Sequence, residues 1–388
     1  MENALCIHMT LRRLPFSLAL SLSGLLLIAC SSSSDGADIP DADTSPDAGP
    51  DASPKCTAEQ QKALTDAIGP KLDTAASDTA ISDTPDFTLL LETYSGQTYV
   101  HSQGASTGTT SYESASTSKL VTAVVIMDAV DRGALTLETK AHDLLPFWAD
   151  TNVTLRQLLA FVSGANEEPL CQNVPNADFE DCVTKIYEQN AANFVNAGAT
   201  FYYASTHLQV AGLMALKASK VGSWSELFGA FKGRTSLFAT SVYDLPSATN
   251  PRLAGGMHWN ANEYLGFLRA LAKGQLLSEA SRKALFANQR GSASVTASPA
   301  LKGVTEDWAY GLGNWLECTT ATTAGSYNCG EGHRNSSPGA YGAYPFIDFD
   351  HQYFGILARQ GALGTGYQGV NIVRAANEPI TNWAECAR

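Results

Sequence analysis

Apolar and polar positions change their rhythm several times along the chain, and each rhythm predicts an element. Ala, Gln, Lys and Leu recur at helical spacing from residue 57 to 76, where Pro70 is expected to bend or divide the helix. Two strand patterns follow, Phe87 to Thr93 and Gln97 to Gln103, and the Ser95-Gly96 pair between them is of the kind that closes a hairpin. Leu120 to Val130 is apolar on nearly every face, which fits a helix buried all round. From Leu135 to about residue 300 the chain reads mostly as helix and loop. Helices are expected at Leu155 to Phe161, His207 to Ala218 and Glu263 to Lys273, the last stopping before Gly274. Strand patterns return at Trp308 to Trp315, Tyr344 to Phe349 and Tyr353 to Arg359, and a closing helix is expected from Pro379 to Cys386. Strands near both ends with helices between them imply an α/β fold. One antiparallel sheet is assembled from both chain ends, about 56–115 and 300–388, flanked by helices and with a mostly helical lobe, about 116–299, inserted. The active site is expected at the seam between sheet and lobe.

The first thirty residues read differently. Arg12 and Arg13 precede an apolar run from Leu18 to Ile28 and the small Ala29, the grammar of an export signal. Leu27-Ile28-Ala29-Cys30 resembles the bacterial lipobox, in which cleavage precedes a cysteine that carries lipid. The rival readings are an ordinary signal peptide or a spanning helix, but the run is short against the ~20 residues a span needs. Residues 1–29 are therefore taken as a lipoprotein signal peptide and Cys30 as the lipidation site. Residues 30–55 are taken as the lipidated cysteine and a tether rich in Ser, Asp and Pro, with little that could be buried. The domain proper is 56–388. The expectation is an exported protein anchored to a bacterial membrane, with the domain in the periplasm or outside. Ser31, rather than Asp, after Cys30 leans toward the outer membrane.

Composition narrows the partners. With 44% hydrophobic and 16% charged residues, the 388-residue chain can bury a large core. Its formal net charge of -13 and the absence of a basic stripe argue against a nucleic-acid partner. A monomer acting on a small molecule or peptide is expected. Once Cys6 and Cys30 are set aside, six cysteines remain, an even set suited to disulfides in an exported chain. Spacing pairs Cys171 with Cys182 and Cys318 with Cys329, which leaves Cys56 and Cys386 to join the ends of the domain. Zinc is the rival reading, but neither CxxC nor HExxH spacing occurs, so no metal or cofactor is expected.

The chemistry centres on Ser116-Thr117-Ser118-Lys119, the only Ser-x-x-Lys in the chain. At i,i+3 helical spacing the hydroxyl and the ammonium share a face, so the lysine can take the serine's proton. The pair opens the most apolar helix of the chain, where desolvation should lower the lysine pKa as a general base requires. The helix start also supplies a free N–H beside Ser116 for an oxyanion. A second serine motif, Gly104-Ala105-Ser106-Thr107-Gly108, matches the G-x-S-x-G elbow, but a polar loop follows it where that motif needs a helix.

From the Ser-x-x-Lys onward the chain resembles the serine β-lactamase-related family: class C β-lactamases, D-alanyl-D-alanine carboxypeptidases and family VIII-type esterases. The resemblance covers essentially all of residues 57 to 388 and implies the β-lactamase/transpeptidase-like fold. It assigns Ser116 as nucleophile, Lys119 as its lysine and, through Tyr203-Ala204-Ser205, Tyr203 as the proton shuttle. Gly255-Gly256-Met257 and Tyr310-Gly311-Leu312-Gly313 resemble further landmarks. Leu158-Leu159-Ala160-Phe161-Val162-Ser163-Gly164 resembles the family's Leu-Leu-x-His-Thr-Ser-Gly turn, with Phe161 and Val162 replacing His and Thr.

Two departures matter. Ser205 stands where the family often has a substrate-binding asparagine. Ser337-Pro338-Gly339 stands where it has Lys-Thr-Gly or His-x-Gly, so the cation that grips a substrate carboxylate is missing, with His333 and Arg334 the nearest replacements. By the resemblance, Gly339 still permits close substrate approach and the N–H of Ala340 joins that of Ser116 in the oxyanion hole. The expected activity is acyl transfer through an acyl-enzyme on an ester or amide, esterase- or peptidase-like rather than β-lactamase. The alternative is a weak or inactive relative that binds cell-wall peptide. His207 and His351 are expected to be structural.

Overall fold

A computed structural model describes residues 55–149, 152–317 and 333–388. The signal peptide, Cys30, nearly all of the tether and the Cys318–Cys329 pair lie outside the described residues. No described helix is long and apolar enough to cross a membrane.

The domain opens with α1 (Ala58–Ser77), started by a reciprocal pair of bonds: Thr57 accepts from the Gln60 N–H, and the Gln60 side chain accepts from that of Thr57. Pro70 neither ends nor divides it. The helix lies along the two C-terminal helices, and that packing outweighs the single backbone bond a proline removes. The hairpin follows as β1 (Phe87–Thr93) and β2 (Thr98–Gln103), turning at Gly96 with φ +97°. Next come β3 (Tyr112–Glu113), a 3₁₀ turn over Ala115–Thr117, and α2 (Ser118–Asp131). From Leu120 to Met127 every residue of α2 is buried, as its uniformly apolar sequence requires. Each such Val or Ile contributes about 2 kcal/mol of transfer free energy.

The helical part continues with α3 (Ala141–Leu144), α4 (Leu155–Leu159), α5 (Phe179–Phe194), β4 (Thr200–Tyr202), α6 (Thr206–Ser219), α7 (Trp224–Thr235), β5 (Val242–Tyr243), β6 (Met257–Trp259), α8 (Ala261–Ala272), α9 (Glu279–Phe286), β7 (Ser294–Ala297) and α10 (Pro299–Gly303). The chain then returns to the sheet through β8 (Ala309–Tyr310), β9 (Trp315–Glu317), β10 (Arg334–Ser336), β11 (Tyr344–Asp348) and β12 (Tyr353–Ala358), and ends in α11 (Gln368–Ala375) and α12 (Asn377–Cys386).

The main sheet has the order β2-β1-β12-β11-β10-β9-β8 and every pairing is antiparallel. Leu89 of β1 stands between His101 of β2 and Leu357 of β12, so the two ends of the domain meet side by side in one sheet. β1 and β12 are buried along their whole length, which explains why they read as continuous apolar runs. Helix α8 packs on β1, β11 and β12, while α1 packs on α11, α12 and β2. Trp308 to Trp315 is not one strand but two: Gly311 donates to Asn314 O and Gly313 takes φ +72°, folding the stretch into a tight β8–β9 hairpin. Gly311, Gly313 and Asn314 mark the turn, set between two strands of only two and three residues. Cys56–Cys386 and Cys171–Cys182 are disulfide-bonded.

Candidate active site

Ser116 sits in the 3₁₀ turn that runs directly into α2, with Ala115 before it at φ +41°, a region an L-residue enters only when its surroundings hold it there. The holding contacts are visible. Ser114 exchanges hydrogen bonds with the backbone of Met257, and the Tyr264 hydroxyl donates to Thr117 O at 2.7 Å. The β10–β11 turn closes over the same segment, and a Cβ on Gly339 would lie 2.6 Å from Ser114 O, so only glycine allows that approach. The Ser337 hydroxyl donates to Ser116 O at 2.9 Å.

Lys119 is almost wholly buried, yet no carboxylate among the described residues bonds to it. Its Nζ donates to Ser116 Oγ and to Ala254 O, each at 2.9 Å, and stands 4.7 Å from the centre of the Tyr203 ring. Desolvation lowers its pKa to about 7; the charge of Glu168 opposes the shift and that of Arg252 adds to it. Near neutrality a substantial share of Lys119 is therefore the free amine, able to accept a proton.

Tyr203 follows β4, whose parallel pairing with β7 carries on to a Tyr203 N–H bond to Ala297 O. Its ring stacks on Trp315 at 5.0 Å and meets Phe161 edge-on at 5.5 Å. Burial raises the phenol pKa, against hydrogen bonding with Ser116 and Trp315, so Tyr203 is a phenol and not a phenolate at neutral pH. Phe161, at φ +60°, also stacks on His207. The imidazole of His207 donates from Nε2 to Tyr202 O and accepts at Nδ1 from Ser163, and burial depresses its pKa to about 4. It is a neutral brace for the tyrosine strand. His351 lies away from the cleft and bonds Asp348.

A cleft of about 480 Å³ opens from these groups, lined by Ser116, Tyr203, Gly339 and Ala340, by the segment from Ala297 to Gly303 and by Tyr367. Ser116, Lys119, Tyr203, Ser337, Gly339 and Ala340 are thus brought together. Ser205 is not among the lining residues; its N–H is held by Glu168. Neither neighbouring cation replaces the missing one. Arg334 is buried against Asp348, Tyr353 and Asn377, and His333 pairs with Asp350. The second serine motif is structural, since Ser106 is buried and bonded to Thr88 and Tyr112. Trp315, Ala254 and Ser298 were invisible as site residues because only tertiary contact brings them here.

A β-lactamase family model matches residues 75–376, well over half of the chain. The protein belongs to the β-lactamase family. Solved structures of this family share its fold. A Bacteroides dorei protein classed with the β-lactamases superposes with TM-score 0.68 at 24% identity, over 80% of this chain and 97% of its own. EstCE1, a hydrolase with promiscuous acyltransferase activity, gives 0.65 at 14% identity, over 82% and 100%. The D-amino acid amidase of Ochrobactrum anthropi gives 0.62 at 16%, over 82% and 99%. No curated protein matches this β-lactamase relative.

Proposed function

We propose that the protein is a serine hydrolase that works by acyl transfer, with Ser116 as nucleophile, Lys119 as base and Tyr203 as proton carrier. The observation that carries this reading is the 2.9 Å contact between Ser116 Oγ and a desolvated lysine whose pKa falls to about 7. In its amine form, Lys119 takes the Oγ proton as Ser116 attacks an ester or amide carbonyl. The N–H groups of Ser116 and Ala340, two residues that line the cleft, receive the developing oxyanion. Tyr203 hands a proton to the departing oxygen or nitrogen and regains one from Lys119. Water then enters along the same path, and Lys119 deprotonates it to release the acyl group. No metal or cofactor takes part in these steps.

The substrate class follows from the third strand. With Ser337 in place of a cation and Arg334 and His333 committed elsewhere, that strand offers no grip for the carboxylate of a β-lactam or of a D-Ala terminus, which favours an esterase or amidase. The same feature supports the second reading, a binder of cell-wall peptide, because Pro338 also removes a backbone donor from the strand edge. In either case the domain is read as exported and tethered to a bacterial membrane through Cys30, acting as a monomer. The deciding experiment is hydrolysis of p-nitrophenyl butyrate by the full-length chain beside its Ser116→Ala variant. Turnover lost in the variant supports the hydrolase. Inertness toward this ester, D-Ala peptides and nitrocefin alike supports the binder.

A further inference from the structure

We infer that the cleft carries an anion subsite on α10, formed by Ser298 and Lys302, that selects substrates whose leaving group bears a carboxylate. This rests on the hydrolase reading and adds a substrate class to it. Three observations converge. Lys302 is the only charged residue among those lining the cleft, it is exposed, and no described carboxylate pairs with it. Ser298 lines the same wall and is 94% buried by residue, with a relative exposure of 6%, yet its Oγ makes no hydrogen bond among the described residues. It does not cap α10 either, since no side-chain bond is made there. A buried hydroxyl without a partner is uncommon; this one is covered within the cleft wall, and a turn of its side chain toward the cleft would give it a ligand as partner. Ser298 is the extended N-cap of α10 and Lys302 lies four residues on, both in the lining of the same cleft, so the subsite would hold one carboxylate between hydroxyl and ammonium.

The side of the cleft is set by Tyr203. Ser298 directly follows Ala297, whose carbonyl accepts the Tyr203 N–H. Tyr203 protonates the leaving group, so a charge held beside it belongs to the leaving group and not to the acyl chain. The cation absent from β10 is thereby replaced from a different element of the cleft lining. Gly303 lets α10 pack against Tyr367, where a Cβ would fall 2.3 Å from the ring.

The test uses the full-length chain in detergent with two butyrate esters, 3-carboxyphenyl and its neutral isostere 3-carbamoylphenyl. The readout is the ratio of their kcat/KM values, which cancels any general effect of a substitution. Lys302→Gln should lower the carboxyl-to-carbamoyl ratio about tenfold and Ser298→Ala about threefold, with Lys302→Arg restoring most of it. A ratio that stays within about twofold of wild type in Lys302→Gln overturns the subsite. Calorimetry with the Ser116→Ala chain separates this from the chemistry. If wild type hydrolyses neither ester, the hydrolase reading fails; binding of the carboxyl ester that weakens with Lys302→Gln still sustains the subsite, and binding absent or insensitive to Lys302 ends it.

Discussion

The two motif-bearing walls around Ser116 differ in how they are held. On the lobe side, Ser116, Lys119 and Tyr203 are fixed by buried contacts from four directions: Ala254 O, Trp315, Phe161 and the strained Ala115 backbone. On the strand side, Ser337 and Gly339 keep the close approach to the nucleophile segment, but the position that would grip substrate has lost its charge. Proton transfer and substrate grip are thus separable in this fold. The first depends on a desolvated interior that tolerates little change, and the second on an edge that other elements can supply.

The largest expected effect is on the well-held side. Ser116→Ala should lower ester turnover by on the order of 10³-fold or more, and residual turnover near wild type would place the nucleophile elsewhere. Lys119→Met should cost on the order of 10²- to 10⁴-fold in kcat/KM. In the wild type, kcat/KM should rise with pH through about 7, as Lys119 loses its proton, and this limb should vanish in Lys119→Met. Stability follows the same group. The lysine pKa falls from 10.5 unfolded to about 7 folded, so between those values the unfolded chain binds more protons and stability grows with pH. Below about 7 the buried ammonium is costly in full, and there Lys119→Met should raise the melting temperature.

Smaller effects belong to the strand edge. Ser337→Lys should raise nitrocefin turnover relative to p-nitrophenyl butyrate by about tenfold, and an unchanged ratio would show that grip is not what this edge lacks. The smallest are remote charges: Glu168→Gln should move the ascending pH limb to lower pH and Arg252→Gln to higher pH, each by a fraction of a unit, read from full pH profiles.

What the sequence made legible follows the same division. The hairpin was readable because Ser95-Gly96 interrupts two strand patterns, and α2 because Leu120 to Met127 is apolar but for Thr122. Ser116 and Lys119 were readable because their chemistry depends on local spacing. The β8–β9 turn carries its own signals in Gly311, Gly313 and Asn314, but its strands are too short to show a period of their own; the continuity of α1 through Pro70 depends on helices that arrive only at the end of the chain. Trp315, Ala254, Ser298 and Lys302 carry no local pattern, since β pairing and the return of α10 to the cleft bring them together.

The pairing of β1 with β12 also bears on the order in which the molecule can be made. Strand β1 emerges early, buried along its whole length in the finished sheet, and must wait for the last described strand before its second edge is covered. Until then the chain holds an open, sticky ribbon, so the interval between the birth of Phe87 and the arrival of Ala358 is when this protein is most exposed to aggregation and most dependent on whatever shields it.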